Sequence, residues 1–155
     1  MNLIDLKKEY SMLEKKYQLP SFKMVNEAFE IDKIDKNTDC LLRAVRKSMM
    51  EKVVNTLGFF EMLLNQTNVP GLYMSFLKSM TMEDKEKIEK LYKALGEVSL
   101  QSLDLEVEYS EKGEAELIKR TVSVWNSMKP DFKLILGKIK KPNFNNVKKE
   151  RSYYG

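Results

Sequence analysis

The chain has 155 residues, a formal net charge of +4, 43% hydrophobic residues, no histidine and one cysteine. Histidine moves protons near neutrality and is the commonest metal ligand, so Ser–His and Cys–His nucleophile pairs, zinc sites and haem sites are excluded together, and no cofactor or metal is expected. Six glycines and four prolines favour long helices over many short strands, and the length predicts one domain.

Residues 3–17 read as a first helix, because Leu3, Leu6, Tyr10, Leu13 and Tyr17 recur every three or four places behind Asn2, a good N-cap. That helix should stop before Pro20. Ser21 then caps a short helix over 22–30, with Phe22, Val25 and Phe29 on one side. Asp32 to Asn37 is a polar connection, after which Thr38 or Asp39 caps a long helix reaching Asn65. Its apolar residues cover most of its circumference, which predicts a central helix buried in a bundle. Gly58 inside it costs about 1 kcal/mol relative to alanine, a loss that close approach by a neighbouring helix would offset.

Pro70 can occupy the first turn of a short helix over 70–80. Thr81-Met82-Glu83-Asp84 resembles a capping box with aspartate in the glutamate position, so another helix starts there. Within it, Leu103 to Tyr109 alternates apolar and polar like a half-buried strand. The wider window overrides that reading: Glu97, Gln101, Asp104, Glu108 and Glu111 form a polar stripe at helical spacing, and a lone strand would have no partner. One helix over 82–111 is expected, broken by Gly113, followed by a helix over 114–129. Pro130 should interrupt or kink the chain before a last amphipathic stretch of Phe132, Ile135, Leu136 and Ile139. The expected fold is all-α: one bundle of about four longer and two to three shorter helices in residues 1–141, with 142–155 as a basic, flexible tail. No run of eighteen apolar residues exists for a transmembrane segment, the first residues meet charge too early for a signal peptide, and the lone cysteine fits a reducing cytoplasm.

The charge is unevenly spread. From Lys138 onward six bases (Lys138, Lys140, Lys141, Lys148, Lys149, Arg151) face one acid, a net of +5, which leaves −1 for residues 1–137. With Phe144, Tyr153 and Tyr154 interleaved, this end combines charge with stacking surface, as single-stranded nucleic acid contacts do. It equally suits a peptide docking on a protein surface with Tyr153 and Tyr154 as anchors. Lysines number 23 against four arginines, so diffuse charge is expected rather than a reader of base edges. The leading expectation is therefore a non-enzymatic helical adaptor whose tail engages an anionic partner, nucleic acid or ribonucleoprotein first and an acidic protein second.

Other constellations carry weaker readings. Arg43, Arg46 and Lys47 share one side of the long helix and form a candidate phosphate ridge, with pairing to acids of neighbouring helices as the favoured alternative. Residues 104–116 hold six acids against Lys112; a solvated face or a dock for something basic, the chain's own tail included, outweighs a Mg²⁺-dependent enzyme built on carboxylates. Cys40 reads as a small buried hydrophobe. The methionine- and phenylalanine-bearing segment 59–82 is a candidate docking surface, and 132–141 a candidate amphipathic membrane-binding stretch.

Overall fold

Four of the six helices begin where a small polar side chain can satisfy the free N–H groups of a first turn. The computed structural model describes residues 2–35 and 37–141. Helix α1 (Leu3–Tyr17) starts with a reciprocal box in which Asn2 accepts from the Asp5 amide and Asp5 from the Asn2 amide. It ends on Gln18 in the left-handed region, at φ 56°. The Tyr10 hydroxyl donates to the Pro20 carbonyl at 2.6 Å and fixes the corner into α2 (Phe22–Phe29), which Ser21 caps. Burial pushes the Tyr10 hydroxyl pKa far up, so this donor keeps its proton. A single 3₁₀ turn, Ile31–Lys33, then leads toward α3 (Leu41–Leu64).

After α3 come a 3₁₀ turn at Gly71–Tyr73 and the short α4 (Met74–Ser79), where the sequence predicts one helix over 70–80. Helix α5 (Met82–Val107) opens on the Thr81–Asp84 capping box. Helix α6 (Glu111–Lys140) opens on Ser110, whose hydroxyl accepts from the Gly113 amide at 3.0 Å. The protein is thus an all-α bundle, with four longer helices (α1, α3, α5, α6) and two shorter ones among the described residues. Helix α3 packs chiefly on α5 and then on α6, while α1 and α2 close one side of the bundle. The core runs through Val45, Met49, Val53 and Phe60 of α3, Ile88, Leu95 and Val98 of α5, and Ile118, Trp125 and Ile135 of α6.

Several expected boundaries move. The stretch 103–107 is helix, not strand, but α5 stops at Val107 rather than at 111, and the break falls at residues 108–110 instead of at Gly113. Gly113 sits inside the first turn of α6, where an added Cβ would lie 2.8 Å from a Leu105 methyl, so its small size lets α5 and α6 close on each other. Helix α6 also runs unbroken through Pro130. Pro130 is exposed, which leaves the backbone carbonyl it strands open to water, and the following turns are anchored by Phe132 on Phe60 (centroids 5.1 Å apart) and by fully buried Ile135. Nor is α3 sheathed on all sides: Val54 is half exposed, and an added Cβ on Gly58 would meet nothing within 4 Å, so no neighbour approaches closely there.

Candidate functional site

Three side chains from two helices, α5 and α6, meet at Arg46 of α3. Its guanidinium donates to Glu114 through Nε (2.5 Å) and Nη2 (3.1 Å), to the Ser102 hydroxyl at 2.8 Å and to Glu106 at 2.9 Å. Arg46 is 2% exposed and Glu114 fully buried. Burial opposes the charge on Arg46, but hydrogen bonds to Glu114 and Glu106 outweigh it and hold its pKa above the usual arginine value. The hydrogen bond from Arg46 in turn draws the Glu106 carboxyl below its ordinary value. Because Glu106 ends α5 and Glu114 begins α6, one cation of α3 clamps the turn between them.

That geometry answers the phosphate-ridge reading. Arg46 spends its donors inside the protein and presents none to a solvent phosphate, which takes it out of the ridge, as the pairing alternative has it. Arg43 lies 4.6 Å from the Tyr109 ring and 4.0 Å from Glu114, and Lys47 reaches Glu106 at 3.7 Å. The same pairing consumes most of the acidic segment: Glu111 takes Lys16 at 3.3 Å and Glu116 takes Lys119 at 3.0 Å. Among the described residues no three Asp, Glu or Cys side chains converge as a metal site requires. Cys40, half-buried, precedes α3 with its sulfur 3.2 Å from the Tyr109 hydroxyl, and this contact helps hold the Tyr109 pKa up at about 12.

The basic end of α6 is arranged differently. Lys129, Lys133, Lys140 and Lys141 are exposed, with no acidic partner among the described residues. Lys138 is the exception: its ammonium donates to Asp84, the residue that also closes the α5 capping box. Burial pushes Asp84 up, but Lys138 and Thr81 hydrogen bonds prevail and its carboxyl sits below the ordinary aspartate value. Beside these lysines, α4 and α6 leave an open groove of about 470 Å³, lined by the exposed Leu134 and the nearly buried Phe76. Sequence reasoning missed it, because its two walls lie more than fifty residues apart; the only local signal is Leu134 placed among Lys133, Gly137 and Lys138.

The remaining candidate residues separate clearly. Lys148, Lys149, Arg151, Tyr153 and Tyr154 lie outside the described residues. The membrane-binding reading of 132–141 fails on packing: Phe132 contacts Phe59 and Phe60, while Ile135 and Ile139 are buried, so the apolar face that would enter a bilayer belongs to the core. No helix among the described residues is long and apolar enough to cross a membrane. In the 59–82 segment, Leu72, Met74 and Met82 are exposed, whereas Phe60 and Phe76 are core. A larger cleft of about 800 Å³ lies between α2 and α3, but its lysines are engaged: Lys33 pairs with Glu30, Lys47 with Glu106, and Lys52 donates to the Ala28 carbonyl while lying over the Trp125 ring. Comparison with protein-family models, curated proteins and solved structures finds no match to this chain.

Proposed function

We propose that this chain is a non-enzymatic helical adaptor, or assembly protein, whose basic C-terminal end engages an anionic partner. What supports the reading is a contrast in charge pairing. The acids of 104–116 are largely matched to cations of α1, α3 and α6, while four exposed lysines between Lys129 and Lys141 have no such match among the described residues. The lysine surplus continues in sequence through Lys148, Lys149 and Arg151. Unmatched charge steers a partner of opposite sign and selects by potential rather than by base pattern. A cytoplasmic setting belongs to this reading, since Cys40 is the only thiol. Nucleic acid or a ribonucleoprotein, and an acidic protein surface, are the partners such a charge field admits.

The test uses the full chain with Lys133, Lys140, Lys141, Lys148 and Lys149 changed to glutamate, leaving Lys138 on Asp84. Binding of a single-stranded RNA and of polyglutamate is measured across a salt series. The expected result is an unchanged melting curve with loss of binding, and a wild-type affinity that falls steeply as salt rises. Equal retention of both probes by wild type and variant overturns the proposal, as does binding by neither.

A further inference from the structure

The groove between α4 and α6 adds shape to that charge. Its surface is mainly apolar, with Leu134, 54% exposed, as its open apolar side chain and the nearly buried Phe76 lining the opposite wall. Gly137 lines it too, and an added Cβ there would meet nothing within 4 Å, so the glycine leaves room rather than accommodating a neighbouring helix. Lys133, Lys138 and Lys141 stand around it, and its one acid, Asp84, is buried and committed to Lys138 and Thr81. An apolar slot rimmed by lysines is complementary to an apolar side chain flanked by carboxylates.

We propose that this groove seats an acidic peptide segment of a partner protein, with a leucine- or phenylalanine-sized side chain filling the space over Gly137. The proposal rests on the adaptor reading and names the class of its partner. Nucleic acid fits less well. A base needs an open ring face to stack on, and the groove's one aromatic residue, Phe76, is only 3% exposed.

The experiment follows the Gly137 amide by nitrogen–proton NMR in the labelled full chain. Three probes are titrated: a short glutamate-rich peptide with a central Leu-Phe pair, polyglutamate of equal charge, and oligouridylate of equal charge. The expected result is a Gly137 shift with the Leu-Phe peptide alone and affinity about tenfold above polyglutamate, the gain from burying one large apolar side chain. Gly137→Phe fills the slot while leaving every lysine in place, and should erase that tenfold difference without lowering the melting temperature; Leu134→Glu should do the same from the opposite wall. If charge reversal of the lysines abolishes binding but Gly137→Phe and Leu134→Glu change nothing, the groove proposal falls and the adaptor reading stands. Tighter binding of oligouridylate than of the Leu-Phe peptide has the same consequence. If no probe binds, both fall. A Gly137 signal that moves on Phe144→Ala in the free chain would place the chain's own continuation in the groove, and also overturns the proposal.

Discussion

Replacing Arg46 by leucine should be among the most damaging single substitutions in this protein, and the reason is its partner. Glu114 is fully buried and takes two hydrogen bonds from the guanidinium, at 2.5 and 3.1 Å. Without Arg46 the nearest cation is Arg43, whose Nε lies 4.0 Å away and whose side chain is 42% exposed, so the carboxylate stays desolvated and poorly compensated. Breaking one side of such a pair costs about 3–5 kcal/mol, which for a chain of this size is a fall in melting temperature of roughly 10 °C or more. The double variant Arg46→Leu/Glu114→Leu removes both charges and should recover most of that loss, because two apolar side chains carry no desolvation cost. Glu106 is not orphaned by either change: it is 44% exposed and keeps Lys47. Urea titration of wild type, both single variants and the double variant closes the cycle. A cost below about 1 kcal/mol for Arg46→Leu would mean that water reaches the pair, and a double variant no more stable than the single would mean that the ion pair is not what clamps α5 to α6.

Other outcomes follow from the same geometry. Gly58→Ala and Gly137→Ala place a methyl in open space within helices and should each stabilise by about 1 kcal/mol in thermal melts, whereas Gly113→Ala, whose Cβ would meet Leu105 at 2.8 Å and Ser110 at 3.2 Å, should gain nothing or destabilise. Thr81→Ala removes the α5 cap and should cost about 1 kcal/mol by denaturant titration. Stability should fall with acid. Glu106 and Asp84 are held below their ordinary values of 4.5 and 3.8, so below those values the unfolded chain binds protons first, and unfolding free energy declines until pH passes under the depressed folded values. A stability curve flat between pH 5 and the acid limit would show these pairs to be inert.

Three helix starts are legible in the sequence because each is written within four residues: Asn2 with Asp5, Ser21, Thr81 with Asp84. The start of α3 is not, since it follows Cys40 with no side-chain cap instead of the expected Thr38 or Asp39, and α6 opens on Ser110 instead of at 114. The end of α5 is not legible either. Its polar stripe continues at helical spacing through Glu108 and Glu111, and nothing local says that the helix must stop at Val107. The instruction comes from α3, where Arg46 binds Glu106 and Glu114 at once and a continuous helix would carry those two carboxylates apart, eight residues being about 12 Å along an axis. Pro130 fails as a breaker for a related reason: the local penalty of a few kcal/mol is offset by Phe132, Ile135 and Ile139 docking on α3 and its neighbours.

The same dependence on distant partners governs which charges are free to act. Arg43, Arg46 and Lys47 share one side of α3 in the sequence, but only packing decides that Arg46 turns inward while Lys47 stays 59% exposed. Periodicity gives a residue its face, and the charge on the facing helix gives it its role. Glu106, Glu111 and Glu114 end up matched because α3 and α1 bring cations to them; among the described residues the lysines from Lys129 to Lys141 meet a single acid, Asp84, across the bundle. A helix bundle can dispose of charge only by pairing it or by leaving it in water, and this one has paired its acidic turn internally while leaving its basic end in water beside an apolar groove.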